Sequence, residues 1–598
     1  MSADNNNNCF NLGLTLAGAV SAGAYSAGVL EFLREALEAW EAAKNGGGKD
    51  SRGNAVPTHR VQVQAISGTS AGAMCAAMFI GGLDKPLQPI TSATPAETNT
   101  PGNPLYYAWV DRVDIQPMLD DDDLVKEAAV KSLLNCRILD QIASEVLNPW
   151  CPDYRLPPWI AEDAEVFFCT TSLRGIPYAV KAFPNDPDPY GMSLHSGVLK
   201  YRLRTAIGTP NADAIILAPT LDDAAKAKNW DNLRSAALAS GAFPFALKAR
   251  QTETPLGVVE SRRWEIPSAK GRQKANNVVS ELPANTDPFR AVCVDGGAIN
   301  NEPVEHVRLA LTLKAPGVDP NQDMPRLERE LAECNAATLL IDPFPDRVEF
   351  SADYTASDDV FSVAKALLPA VLNQLRFKSD ELILAASAAV GSRYLISPSR
   401  PWRNGKDPTL ACGALGGFLG FLKKDFRHHD YLLGRLNCQQ FLKRHFYVSD
   451  ENALVTPWLG TAPHYVGAAY YSPSDLEKIG TAHRGINQPS TPLNPVPIIP
   501  LMPELQDETQ LLENLKSHWP SKFTDNDMDT LQRRLRNRLD AVLSRLLTQV
   551  QLPMLKRLAR WLLSGMASLL GVNPATIAAT KISERISAIL KDANLLKK

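Results

Sequence analysis

A serine bracketed by glycines, Gly68-Thr69-Ser70-Ala71-Gly72, follows the alternating run Val61-Gln62-Val63-Gln64-Ala65-Ile66 and precedes a stretch of small apolar residues. That order predicts a strand, a tight turn and a helix. Ser70 then sits in a strained bend that exposes its hydroxyl, at a helix N-terminus that favours a developing alkoxide. Gly68 and Gly72 allow strand and helix to approach closely. A second piece is Asp295, which ends the apolar run Ala291-Val292-Cys293-Val294 and begins Asp295-Gly296-Gly297-Ala298. The carboxyl end of a strand is where open α/β sheets place ligands and catalytic groups, although such an aspartate equally fits an Asx turn. The third piece is the small-residue loop Ala17-Gly18-Ala19-Val20-Ser21-Ala22-Gly23, between a predicted strand over Phe10 to Leu16 and a helix from Ala24. Strand, glycine loop and helix make an anion cradle of unobstructed backbone N–H groups. No lysine closes the loop, so a nucleotide-binding P-loop is not met. A nucleophile, a base and amide donors are the three roles that acyl transfer needs.

The base is the open choice. None of the nine histidines stands in a setting like that of Ser70 or Asp295; His306 lies on the predicted helix after Asp295, where packing or surface exposure is the commoner role. A Ser-His-Asp triad on an α/β-hydrolase fold also uses G-x-S-x-G. That fold places several strands before its nucleophile, whereas here one strand and one helix precede the Ser70 strand. A Ser-Asp dyad remains, in which Asp295 takes the serine proton directly. A carboxyl group ordinarily titrates at about 3.9, and partial burial would raise its basicity.

The elements that must position these groups alternate between strand and helix, which argues for a mainly parallel sheet. Buried-type strands are expected at Val166 to Thr170, Ala214 to Leu217 and Ala337 to Asp342, and a half-buried one at Val198 to Arg204. The helix Asn232 to Ser240 stops at Gly241-Ala242-Phe243-Pro244. Residues 251–290 read as a polar hairpin with a loop, and 84–104 as an exposed loop. Asp120-Asp121-Asp122-Asp123 stands where a helix begins, so capping outweighs a metal site. Past residue 357 the texture turns helical: Val360 to Val390 and Phe418 to Phe446 are apolar-periodic, and Leu555 to Leu570 is strongly apolar with Lys556, Arg557, Arg560 and Trp561. The expected organisation is a catalytic domain over 1–356, a helical extension packed on it over 357–480, a Pro-rich linker over 481–506 and a helical region over 507–598.

The chain has 598 residues, 45% of them hydrophobic and 21% charged, which is enough to bury a large core and excludes disorder throughout. A net charge of −3 gives no global pull toward nucleic acid. Nine scattered cysteines without a C-x-x-C pair or zinc-ligand spacing fit reduced thiols in a cytoplasmic protein. No secretory signal or membrane-spanning run is read, and the last helical region is the candidate for peripheral contact with a membrane. Oligomeric state is not legible.

Four segments together, the loop Ala17 to Gly23, the Ser70 elbow, Ser240-Gly241-Ala242-Phe243-Pro244 and Asp295-Gly296-Gly297, occur in the order found in patatin-like phospholipases and acyl hydrolases, which the chain resembles from about Phe10 to Leu313. Asp430-Tyr431-Leu432-Leu433-Gly434-Arg435 resembles an extension of longer bacterial members. The resemblance implies an α/β three-layer sandwich with Ser70 as nucleophile, Asp295 as base, Gly23, Gly68, Gly72, Gly296 and Gly297 in support, and the amides of Gly18, Ala19 and Val20 as oxyanion hole. It implies hydrolysis of a phospholipid or other lipid ester through an acyl-enzyme, without metal or cofactor. The chain departs from the family in the donor loop: Ala19 and Val20 replace glycines, and Ala22 replaces an arginine. Two alternatives stand beside this reading: a degenerate domain that binds lipid or protein, and a Ser-His-Asp esterase.

Overall fold

The computed structural model describes residues 8–91, 100–126, 129–208, 212–268, 271–319, 324–344, 359, 362–363, 390–403, 407–459, 469–484, 494–549 and 574–597. The first strand, β1 (Cys9–Leu16), carries Phe10, Leu12, Leu14 and Leu16, all fully buried. It leads through a 3-10 turn at Val20–Ala22 into helix α1 (Gly23–Gly46). Strand β2 (Arg60–Thr69) then runs into helix α2 (Ala71–Gly81), with Ser70 alone between them.

After a short helix at Asp122–Lys126 and helix α3 (Arg137–Val146), the chain forms two long strands, β3 (Ile160–Val180) and β4 (Tyr190–Leu203). There follow β5 (Ile215–Leu217), helix α4 (Asp223–Ser240), β6 (Arg250–Thr254), β7 (Phe289–Asp295), helix α5 (Val304–Lys314), β8 (Ala336–Ile341) and β9 (Arg393–Ile396). The central sheet has the order β9-β8-β1-β2-β3-β7-β6, in which the first five strands are parallel. Helices α1, α2 and α4 share the main core on one face, while Val307, Ala310 and Leu311 of α5 cover Ala65, Phe167 and Ala336 on the other. The fold is therefore mixed α/β in three layers with a mostly parallel sheet, and strands covered on both faces read as continuous apolar runs.

Three expectations are modified. The strand ending in Asp295 runs antiparallel to both β3 and β6. It is reached from β6 through residues 255–288 rather than through a helical crossover, and a parallel neighbour would have needed such a crossover. That excursion is not one hairpin: Glu265–Pro267 pairs with Gly271–Lys274, and Val278–Ser280 adds to β3. The third change concerns the extension, which contributes β9 to the central sheet beside β8. Likewise Pro495–Pro497, within the expected linker, is a buried strand paired with Tyr447–Ser449.

Helix α6 (Lys424–Arg444) is buried on most of its circumference, not amphipathic as its charged residues suggested. A Cβ on Gly28 of α1 would stand 2.0 Å from the Tyr431 carbonyl oxygen, and one on Gly434 2.2 Å from that of Tyr25. The two glycines thus let the backbones of α1 and α6 touch. Arg435 bonds both Glu31 and Glu35, the latter at 2.7 Å, and Tyr431 donates to Glu31. Burial pushes the Glu31 carboxyl up, and Arg435, Tyr431 and the Ile90 amide draw it back. In the aspartate run, Asp120 pairs with Arg534, Asp122 with Arg137, and Asp123 with Arg538 of helix α7 (Asp525–Gln549). Helix α8 (Pro574–Asp592) follows. Most of Val360 to Val390 and all of Leu555 to Leu570 lie outside the described residues. No described helix is long and apolar enough to cross a membrane.

Candidate active site

Ser70 lies at φ 54° and ψ −127°, a backbone conformation that costs a β-carbon-bearing residue about 1–3 kcal/mol. Tight packing imposes it. A Cβ on Gly68 would stand 2.7 Å from the Ala73 backbone, and one on Gly72 2.2 Å from the Leu16 carbonyl oxygen. Only glycines admit the approach of strand, turn and helix that turns Ser70 outward.

The long strand β3 sets the level at which the other groups meet. Thr69 of β2, running parallel, pairs with Cys169, and Asp295 of β7, arriving from the opposite direction, pairs with Thr170. β2 and β7 thus meet end to end along one edge of β3, whose other edge β4 takes, and the Ser70 hydroxyl donates to Asp295 Oδ2 at 2.7 Å. Asp295 Oδ1 accepts the Gly297 amide at 2.7 Å. The Asx turn and the serine contact are therefore the two halves of one carboxylate. Both residues are nearly buried, at 6% and 5% exposure. Gly296 is required as well, since a Cβ there would meet the Cys169 carbonyl oxygen at 2.2 Å.

Ser240, which had no assigned chemical role, completes the frame. Ser240 ends α4; its Oγ accepts the Ser70 amide at 2.8 Å and donates to the Cys169 carbonyl at 2.6 Å, while the Asp295 amide donates to Ala242 C=O at 2.9 Å. The segment Ser240-Gly241-Ala242 therefore clamps Ser70 and Asp295 to β3. Its signals in the sequence were a helix stopping at small residues before a proline and a place among the four segments of the resemblance, neither of which states what the Ser240 hydroxyl bonds.

The donor loop lies against Ser70: a Cβ on Gly18 would be 3.0 Å from Ser70 Cβ. The Gly18 amide donates to the Asn301 carbonyl at 3.2 Å, so among the three expected donors it is already engaged. The Ala19 and Val20 amides have no hydrogen-bond acceptor among the described residues, and Val20 is held at φ 49°. Gly23 faces the indole of Trp109, 2.5 Å from where its Cβ would be. In place of an arginine at Ala22, the glycine-rich segment 413–421 braces the loop from outside. Ser21 Oγ donates to the Gly417 carbonyl, and a Cβ on Gly420 would meet Ser21 Oγ at 2.5 Å. That brace is itself tied down by the fully buried Arg427, which bonds Gly420 C=O at 2.5 Å and Val110 C=O at 3.0 Å. Asp430 accepts the Ala411 and Cys412 amides at 2.9 and 2.8 Å.

Ser70 and Asp295 open onto a narrow pocket of about 50 Å³, walled by Met74, Met78, Trp109, Leu147, Leu238 and Phe421. Among the described residues no histidine lines it. His306 stacks instead on Phe167 at 5.4 Å in a separate cavity of about 650 Å³, where Lys200 and Arg202 pair with Glu165 and Asp213. The nearby thiol of Cys75 bonds the Gly23 carbonyl, and burial pushes it far above its ordinary value, so it stays protonated. Among the described residues that line the pocket, Asp295 is the one carboxylate, beside the Ser70 hydroxyl in an otherwise mostly apolar wall.

No family model matches the chain. The crystal structure of VipD from Legionella pneumophila is similar at 11% sequence identity, over 90% of this chain and 88% of that one, with a TM-score of 0.19, too low to carry an argument. The uncharacterized protein y4iI of Sinorhizobium fredii is 33% identical over 578 residues, spanning 90% of this chain and 76% of that protein. At that identity and coverage, the chain belongs to the family of y4iI.

Proposed function

We propose that this chain is a serine lipid acyl hydrolase of the patatin-like type, phospholipase A- or lysophospholipase-like, working through a Ser70–Asp295 dyad. The observation that carries the reading is the 2.7 Å hydrogen bond from Ser70 Oγ to Asp295 Oδ2 at a strained elbow facing an apolar pocket. Asp295 accepts the serine proton as Oγ bonds to the ester carbonyl carbon. The oxyanion lies against the Ala19 and Val20 amides and the N-terminus of α2. Collapse breaks the C–O bond, and Asp295 returns its proton to the leaving alcohol. Water, deprotonated by Asp295, then attacks the acyl-enzyme and releases the carboxylic acid and Ser70. The pocket wall takes the acyl chain, since it offers that chain no polar partner to displace.

One observation favours a second reading, a binding module without turnover: the Gly18 amide is engaged by Asn301, which leaves two loop donors. A single experiment separates them. Fluorophosphonate labelling is expected to modify Ser70 in the wild type and to vanish in Ser70→Ala, with hydrolysis of lipid and short-chain esters lost in Ser70→Ala and Asp295→Asn. No adduct at Ser70 would favour the module; full activity in either variant would sink the dyad.

A further inference from the structure

The mouth of the apolar pocket carries large side chains that stay exposed among the described residues. Phe245 is 82% exposed, two residues from Phe243 and two from Leu247, which both line the pocket. Its φ of 66° is an outlier for a bulky residue, so the backbone holds the ring outward in a conformation the side chain itself disfavours. Leu133, 42% exposed, lies beside it, because the Leu133 amide donates to the Phe245 carbonyl at 2.9 Å and the Leu134 amide to Ala246 at 3.0 Å. Val125, 82% exposed, stands on the short helix next to Asp123. These strands of chain are gathered on one guanidinium: Arg538 bonds the carbonyls of Leu133, Asp120 and Ser132 and the carboxylate of Asp123. The patch is therefore fixed by α7 rather than loosely draped.

We infer that Phe245, Leu133 and Val125 form the surface by which this protein seats its pocket mouth on a phospholipid surface. The inference rests on the reading of the pocket as an acyl-chain site. A chain that leaves a bilayer for the pocket crosses this rim, and an apolar rim in the interface spares it passage through water. The charge around the rim permits the contact. Asp120, Asp122 and Asp123 are each paired with an arginine, and the exposed Asp121 is outnumbered by the exposed Lys126 and Lys131. Because apolar side chains carry the contact, zwitterionic vesicles suffice.

The test is flotation with phosphatidylcholine vesicles, with and without phosphatidylglycerol, of the wild type and of Phe245→Asn/Leu133→Ser. Asparagine tolerates the positive φ, so the turn is retained. The variant's vesicle-bound fraction is expected to fall about tenfold or more. Hydrolysis of vesicle lipid falls with it, while hydrolysis of a water-soluble short-chain ester and the thermal midpoint stay unchanged. Equal flotation of variant and wild type overturns the proposal, as does a wild type that does not float. Loss of wild-type self-association in light scattering, with flotation unaltered, assigns the patch to a second copy and also overturns it. A wild type that hydrolyses no ester but floats through Phe245 and Leu133 leaves the surface standing and removes the enzyme reading.

Discussion

Ser240 stands behind Ser70 and bridges two backbones, accepting the Ser70 amide at 2.8 Å and donating to the Cys169 carbonyl at 2.6 Å. Removing that hydroxyl takes the acceptor from the buried Ser70 amide, a loss of about 1–3 kcal/mol. Ser240→Ala is expected to slow fluorophosphonate labelling of Ser70 about tenfold to a hundredfold, beyond any change in folded fraction. Ser240→Thr, which keeps the hydroxyl, restores most of the rate. Labelling of Ser240→Ala at the wild-type rate would show that the elbow holds itself.

The α1–α6 crossing is the least forgiving contact outside the site. Gly434→Ala would place a Cβ 2.2 Å from the Tyr25 carbonyl oxygen, a backbone atom that cannot swing away. The expected result is loss of soluble protein or a large drop in thermal midpoint. Arg435→Met leaves the fully buried Glu31 without its cation and is expected to destabilise by about 3–5 kcal/mol in urea unfolding. Adding Glu31→Gln recovers part of that loss. If the double variant is no better than the single, the charge is not what the arginine answers.

How much of this was legible follows from how local each signal is. The elbow is readable because its requirements fall within five residues: Gly68 and Gly72 admit the close approach, and apolar periodicity on either side defines strand and helix. The meeting of Ser70 and Asp295 is a long-range event set by β3, and no sequence pattern states that β7 arrives antiparallel and stops at Thr170. The engagement of Gly18 by Asn301 was likewise invisible, since a backbone amide carries no residue signature. The same holds for the brace. The apolar, glycine-rich character of 413–421 was evident, yet its target, Ser21, lies almost four hundred residues earlier in the chain. Asp430 and Arg435 stood out in the sequence; that one holds the Ala411–Cys412 amides and the other Glu31 requires the fold.

The brace makes its own prediction. Asp430→Asn replaces one of two acceptors for the Ala411 and Cys412 amides by an NH2 group, which loosens the segment that carries Gly417 to the donor loop. Hydrogen exchange over 410–421 is expected to quicken, and labelling of Ser70 to fall, while exchange in β1, β2 and β8 stays slow. Ser21→Ala tests the link directly: labelling falls without faster exchange in α6. Unchanged labelling in both variants would mean that the Ala19 and Val20 amides keep their positions without the brace.

A pH signature comes from His59, packed at 4.8 Å on the Trp40 ring. Its Nε2 lies 2.8 Å from the Ile498 carbonyl, so the neutral ring donates there and pins the segment after Pro495–Pro497 to the catalytic layer. Burial, partly offset by the Ile498 carbonyl and helped by Lys44, whose ammonium donates to the His59 carbonyl at 3.2 Å, lowers its pKa to about 4. In the unfolded chain the ring titrates at about 6.5. The folded state therefore binds fewer protons than the unfolded state between those values. The stability held by neutral His59 is complete above the unfolded value and is lost as pH falls toward about 4. The gap corresponds to about 3 kcal/mol at its limit. His59→Gln retains a donor for Ile498 but cannot take up the charge, so it is expected to be less stable than the wild type at pH 7 and to close or reverse that difference near pH 4.5. Carboxylates titrate in the same range in both proteins, so the quantity to measure is the difference between the two urea midpoints at each pH. A difference that does not move with pH would mean that His59 is not protonated on unfolding in this range, and the acid sensitivity would have to be sought elsewhere.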